Sequence, residues 1–313
     1  MDVVFCGTPQ FAVSALAALA EAGDFQVRLV VCQPGRPAGR GLAVTEPPVR
    51  QYALQNNLPL AQPEQIKNNA EFRAQLEDLR PDAIVVVAYG RMLPPWMLEL
   101  PPLGCINLHA SLLPKYRGAA PIQWAIARGE VVTGVTTMLI DSGLDTGGIL
   151  LARELIIEAE DTAESLAPRL AALGAPLLAE TLRGLQAGAL TPRPQDERAA
   201  TLAPLLKKED GRIDFRRSAT EIWNRMRGFL PWPGAYAGFR GRTLQLWSAH
   251  PAPAGAPRPA PGQMQVQDER LFIGCGRESA LEVFELQIEG KRRMSARDFV
   301  NGYRPQPGDV MNP

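Results

Sequence analysis

Ala83-Ile84-Val85-Val86-Val87-Ala88 is apolar from one end to the other. A strand with one wet face alternates polar and apolar residues, so an unbroken run predicts a central parallel strand covered by helices on both sides. Working outward, residues 3–6 and 27–32 read as two more β-rich strands. Between them, residues 11–22 read as a helix with Ala12, Ala15, Leu16 and Leu19 facing inward. Downstream, residues 105–108 and 136–140 supply two further strands. This alternation predicts a doubly wound, mostly parallel α/β sheet. Such sheets bind ligands beyond the carboxyl ends of their strands, where Tyr89-Gly90, Asn107 to His109 and Asp141-Ser142-Gly143 are expected.

The texture changes further along. Residues 164–186 continue as a helix, whereas 187–203, with Thr191-Pro192-Arg193-Pro194, lack periodicity and read as a linker. From Lys207 on, short segments such as 243–247, 271–273 and 281–284 are separated by Gly and Pro, which suggests a small β-barrel or sandwich. The Pro- and Ala-rich residues 251–262 read as a mobile loop inside it, and no internal repeat is present. A chain of 313 residues is about twice the ~150 expected of one domain. The division predicted is a catalytic domain over 1–189, a linker over 190–206 and a second domain over 207–313. Net charge is zero, but residues 207–313 hold 17 Lys and Arg against 12 Asp and Glu, so that part is +5 and the rest −5. A basic module on an acidic one suggests a polyanionic partner.

Composition excludes other classes. No stretch approaches the ~18 consecutive apolar residues of a membrane span, and Met1-Asp2-Val3-Val4 lacks the basic start of a signal peptide, so a cytoplasmic protein is expected. Cys6, Cys32, Cys105 and Cys275 are far apart and mostly in apolar runs, as buried small hydrophobes are. Metal-ligand spacings of the CxxC or HxxxH kind are missing, so no metal is expected. Gly7-Thr8-Pro9-Gln10-Phe11 follows the first strand but matches neither the GxGxxG nor the GxxxxGK[ST] pattern, which disfavours a dinucleotide or ATP site.

The chemistry concentrates in Asn107-Leu108-His109-Ala110-Ser111-Leu112-Leu113-Pro114, which carries one of only two histidines in the chain. On a strand, positions 107, 109 and 111 share a face, so an amide, an imidazole and a hydroxyl are expected side by side. Asp145, in Leu144-Asp145-Thr146-Gly147-Gly148, could orient or protonate the histidine; the set would stabilise an oxyanion and move protons in acyl transfer. The bland alternatives are a hydrogen-bonded core histidine and a turn aspartate. Residues 33–41 carry Arg36 and Arg40 between glycines and can reach a phosphate backbone, and Lys291-Arg292-Arg293 can do the same from the second domain. Residues 229–236, with Phe229, Trp232 and Tyr236, read as domain core rather than as a base-stacking surface.

With these residues in hand, the chain resembles the methionyl-tRNA formyltransferases, a family of 10-formyltetrahydrofolate-dependent transferases. The matching segments are Gly7-Thr8-Pro9, residues 33–41, Ala88-Tyr89-Gly90, 107–114, Arg117-Gly118-Ala119-Ala120-Pro121-Ile122-Gln123, 143–147, Pro231-Trp232-Pro233-Gly234 and 290–299. The resemblance implies a Rossmann-like formyltransferase domain followed by an OB-like β-barrel, and formyl transfer from 10-formyltetrahydrofolate to the α-amine of methionyl initiator tRNA. It implies that Asn107 and His109 stabilise the tetrahedral oxyanion while Asp145 sets the histidine's charge state and assists proton transfer. It places the folate against Arg91, Met92, Leu93, Leu139, Ile140, Asp141 and Gly143, with Ser111, Leu112, Leu113 and Pro114 beside it. Phe11 would border the methionyl side chain, and Arg40, with Arg36, would enter the acceptor end of the tRNA. Leu42-Ala43 stand where the commoner pattern has lysines, so fewer acceptor-stem contacts are expected. Lys291, Arg292 and Arg293 would meet tRNA phosphates, and a monomer is expected. Two rivals remain: formyl transfer to a small amine such as an amino sugar, which leaves the basic second domain unexplained, and a non-catalytic RNA-binding protein, which leaves Asn107, His109 and Asp145 unexplained.

Overall fold

The computed structural model describes residues 1–38, 43–306 and 308–312. They cluster into two units, one of Met1–Pro121, Val132–Ile156 and Ala167–Pro204, the other of Ile122–Val131, Ile157–Leu166 and Leu205–Pro313.

In chain order the first half runs β1 (Asp2–Gly7), α1 (Gln10–Glu21), β2 (Gln26–Val31), β3 (Arg36–Ala38), β4 (Ala43–Thr45), α2 (Pro48–Gln55), β5 (Leu60–Ala61), α3 (Ala70–Leu79), β6 (Ala83–Val87), α4 (Pro95–Leu98) and β7 (Cys105–His109). It continues through α5 (Pro121–Ala127), β8 (Val132–Leu139), β9 (Ile149–Ile156) and α6 (Ala163–Gln186). The sheet order is β5-β2-β1-β6-β7-β8-β9. Strands β5 to β7 are parallel, and the winding reverses between β1 and β6. All five residues of β6 are buried, as its unbroken apolar run requires. Ala12, Ala15, Leu16 and Leu19 form the buried stripe of α1. Asn69 caps α3 by accepting from the Phe72 N–H at 3.0 Å.

Strand β8 runs antiparallel to β7, with Leu139 opposite Ile106 and Thr136 opposite His109. This corrects one expectation: residues 141–143 follow the end of β8 that lies beside the start of β7, not beyond the carboxyl ends of the parallel strands. The expected linker also differs. Residues 190–204 count with the first unit, where Arg193 bridges Ile149 and Leu202 bridges Arg117, so the lack of periodicity marked an irregular packed segment rather than a free connection.

The second unit contains α7 (Ala219–Phe229), β10 (Ala235–Phe239), β11 (Arg242–Pro251), β12 (Met264–Gln267), β13 (Arg270–Cys275), β14 (Ser279–Ile288), β15 (Met294–Ser295) and α8 (Ala296–Tyr303). Helix α7 opens with a reciprocal cap in which Ser218 Oγ accepts from the Glu221 N–H and Glu221 accepts from the Ser218 N–H. The strands form an antiparallel sheet in the order β10-β11-β14-β13-β12, with β15 on β14, over a core that includes Phe215, Leu244, Leu281, Phe299 and Met311. Among the described residues, pairing between the named strands leaves the sheet open between β10 and β12. Segment 309–312 instead reaches both edges: Asn312 exchanges two backbone bonds with Gly238, and Met311 N–H donates to the Gly262 carbonyl. Residues 251–262, expected to be a mobile loop, are tied to the sheet at their ends, where the Ala252 N–H donates to the Ala280 carbonyl and the Gly262 N–H to that of Gly274. Pro261 bridges Gly274, where an added Cβ would lie 2.1 Å from the Pro259 carbonyl oxygen.

Candidate active site

The period of β7 sends Asn107 and His109 to one face and Leu108 to the other. Leu108 meets α6 at Gly174, where an added Cβ would lie 2.8 Å from a Leu108 methyl group. The strand ends at His109, so Ser111 does not continue the face. Ser111 is fully buried and its hydroxyl donates to the Lys115 carbonyl at 2.6 Å, which corrects its expected place beside the other two.

His109 is 6% exposed, and its Nε2 lies 2.9 Å from the Tyr116 carbonyl oxygen. A carbonyl only accepts, so Nε2 carries the hydrogen and Nδ1 is the atom turned to Asp145, 3.7 Å from Oδ2. Asn107 Nδ2 donates to Asp145 Oδ1 at 3.4 Å, and the Gly118 N–H donates to Oδ2 at 2.8 Å. The Asp145 carboxylate thus gathers an amide, a main-chain N–H and an imidazole from two separate stretches of chain.

Asp145 reaches this place from a left-handed residue, φ +52°, in the turn between β8 and β9. Gly147 is required there: a Cβ would sit 1.7 Å from the Leu139 carbonyl oxygen. Asp141, expected to touch folate, ties the same turn by accepting from the Gly143 N–H at 2.9 Å and the Thr146 hydroxyl at 2.7 Å. Two residues that sequence reasoning gave no role complete the frame. Gln195 Nε2 donates to the carbonyls of Asp145 and Gly147, each at 2.8 Å, while its Oε1 accepts from Arg117 Nε at 3.0 Å and Nη2 at 2.9 Å. Arg117, buried, also donates to both oxygens of Glu197. That pairing raises the Arg117 pKa and lowers the Glu197 one, in both cases chiefly through the hydrogen bond between them. Arg117 was visible only as part of a matched segment, and Gln195 lay in the presumed linker without any local signal.

The other expected contacts are spread more widely. Leu93 and Ile140 pack on one apolar cluster with Val86, Tyr89, Met97 and Cys105. Met92 is 72% exposed, and Arg91 donates to the Pro63 carbonyl at 2.9 Å. Leu113 is buried, its N–H donating to Thr136 Oγ1 at 3.1 Å, while Leu112, Pro114 and Leu139 are half-buried and Gly143 is exposed. Phe11 is half-buried in the first turn of α1. Arg40 lies outside the described residues; of Arg36 only the backbone is described, in β3. Lys291, Arg292 and Arg293 are exposed on the second unit, and Arg293 is paired with Glu285. Phe229 is buried, as a core residue should be, whereas Trp232 is 55% exposed.

The arrangement suits acyl transfer by hydrogen-bond polarisation. The Asn107 amide carries two N–H bonds, one of which the carboxylate uses. Protonated at Nδ1, His109 becomes a second donor whose charge the carboxylate balances. A thiol nucleophile is excluded: burial pushes Cys32 up to about 11, Cys105 and Cys275 up to about 12, and Cys6 well up too, so none is a thiolate near neutrality. Among the described residues no cluster of three or more His, Cys, Asp or Glu could hold a metal ion, and no helix is long and apolar enough to cross a membrane.

Comparison with known proteins agrees with this chemistry. Residues 1–182 match the formyl transferase family and residues 205–304 match the formyl transferase C-terminal domain. The methionyl-tRNA formyltransferase of Koribacter versatilis is 60% identical over 311 residues, 99% of this chain and 98% of that protein. The same-named protein of Caldanaerobacter subterraneus is 47% identical over 99% of this chain and all of its own length. Among solved structures, an N-formyltransferase of Helicobacter canadensis in complex with folinic acid and dTDP-3-aminofucose shares the fold with a TM-score of 0.67 at 17% identity, covering 90% of this chain and 98% of its own.

Proposed function

The chain belongs to the methionyl-tRNA formyltransferase family, and from that premise we propose that it moves the formyl group of 10-formyltetrahydrofolate to the α-amine of methionyl initiator tRNA. The observation that carries the mechanism is the convergence of Asn107, His109 and Gly118 on the Asp145 carboxylate. Esterification of methionine removes its carboxylate charge, so the amine is less basic than a free terminus of pKa ~7.7–8.0 and a neutral fraction exists near pH 7. That amine attacks the formyl carbon. As the carbonyl oxygen gains charge, Asn107 Nδ2–H and the protonated Nδ1 of His109 donate to it. Asp145, facing the imidazole, accepts the proton released by the attacking nitrogen, and that proton passes to the departing folate nitrogen as its bond to the formyl carbon breaks.

The folate would lie against Arg91, Met92, Leu93 and residues 139–143 beside Ser111 to Pro114; Leu93 and Ile140 on one apolar cluster support an apolar wall for a flat ring. Phe11 would border the methionyl side chain. Arg36 and Arg40 would approach the acceptor end, while Lys291, Arg292 and Arg293 would meet backbone phosphates. The exposure of the latter three supports this. On this reading the protein acts as a monomer in the cytoplasm; the presence of Asn107, His109, Gly118 and Asp145 in one chain supports the former. The test compares initiator Met-tRNA, elongator Met-tRNA and a free amino sugar as acceptors. Preference for the initiator tRNA is expected, and transfer to the amino sugar at an equal kcat/KM would overturn the reading.

A further inference from the structure

We propose that Gln195 is a positioning residue for the reaction: its single amide locks the turn that delivers Asp145 to the loop that holds His109. The proposal rests on the roles given above to His109 and Asp145. Neither of these side chains is fixed by its neighbours in sequence. His109 is oriented by the Tyr116 carbonyl and Asp145 by the Gly118 N–H, so both depend on where residues 116–118 lie. Those residues are held in turn by the segment that follows Gln195. Tyr116 N–H donates to Thr201 Oγ1 at 2.9 Å, Arg117 N–H to the Thr201 carbonyl at 2.8 Å, and Ala203 N–H to the Arg117 carbonyl at 2.7 Å.

Gln195 connects this assembly to the other half of the site. Both N–H bonds of its amide go to the Asp145 turn, on the carbonyls of Asp145 and Gly147. Both lone pairs of its oxygen take donors from Arg117. All four hydrogen-bonding positions of one amide are thereby filled, two on each half. A carboxylate of the same shape keeps the Arg117 side and loses the Asp145 side; an apolar side chain of similar length loses both. A displacement of about 1 Å at reacting groups is enough to cost up to about 10²-fold in rate. The effect belongs in kcat, because the side chain bonds to Arg117 and to main-chain carbonyls of the Asp145 turn, with a longer contact of 3.9 Å from Nε2 to Met138 Sδ.

The experiment uses the full chain with Gln195→Glu and Gln195→Met, assayed on initiator Met-tRNA and 10-formyltetrahydrofolate beside His109→Ala, with thermal unfolding followed for each. Expected are a fall in kcat of about ten- to a hundredfold for both Gln195 variants, KM for both substrates within about twofold, and a displaced pH profile of kcat as the histidine loses its fixed carboxylate. A kcat within twofold of the parent, or a loss carried by KM alone, overturns the proposal. So does unfolding of both variants at 25 °C, since the side chain would then serve the fold and not the site. If His109→Ala itself leaves kcat unchanged, the catalytic reading fails; if it is slow while the Gln195 variants are not, only the brace fails.

Discussion

Arg117 and Arg293 each pair with a glutamate, yet the two regions they belong to behave differently. The Arg117 side chain is 6% exposed against 71% for Glu197, and its remaining donors meet Gln195 within the site. Arg293 is about half exposed, as is its partner Glu285, and its guanidinium lies 5.1 Å from the Trp247 ring centre on the surface of the second unit. Removing Arg293 leaves groups that water can satisfy. Removing Arg117 takes both donors from the amide oxygen of half-buried Gln195, the residue that holds the Asp145 turn. The worth of an ion pair therefore lies in what its loss leaves behind.

The comparison is broken most directly at the groups that the Arg117 region supports. His109→Ala should lower kcat by roughly 10²–10³, and Asn107→Ala by a similar factor, in single-turnover formylation. A rate within a few-fold of the parent would leave the buried turn without a catalytic purpose. Next, Arg117→Ala should lower unfolding free energy in urea by about 2–3 kcal/mol. A change below about 1 kcal/mol would put Arg117 in the same class as any solvated pair. Two glycines sharpen the contrast on the backbone. At Gly118, φ is +123° and a Cβ would meet the Ala203 carbonyl oxygen at 2.7 Å; at Gly290, beside the basic run, φ is +76° with open space around it. Gly118→Ala should cost about 2 kcal/mol or more and Gly290→Ala about 1 kcal/mol, read from the same unfolding curves. Equal costs would show that close packing adds nothing at the site. The smallest effect belongs to Arg293→Ala: stability should stay within about 1 kcal/mol, while the slope of log affinity for tRNA against log salt becomes shallower by about one. An unchanged slope would take Arg293 out of the phosphate contacts.

Periodicity made part of this legible. The unbroken run in β6 and the i, i+2 spacing of Asn107 and His109 are encoded over a few residues, so the sheet and two site residues could be read directly. The direction of β8 could not, because an apolar strand looks the same run either way. Its reversal displaced residues 141–143 from their expected place. Asp145 was visible as chemistry, but its reach depends on a left-handed residue and on the approach of Gly147 to Leu139. Gln195 was invisible for a further reason: its partners are 48 to 78 residues away, and its own segment forms no regular element that a pattern could announce. Ser111 shows the opposite error, a strand period carried two residues too far.

Segment 309–312 has a consequence for how the molecule is made. Met311 is fully buried in the second unit's core, and Asn312 is stitched to Gly238 by a pair of main-chain bonds across more than seventy residues. While a ribosome is still adding that stretch, or while it sits in the exit tunnel, strand β10 lacks its partner at Gly238 and the core lacks a plug. The second unit therefore reaches its final form only after synthesis has passed this point, whereas the sheet bearing Asn107 and His109 draws on polypeptide that emerged long before.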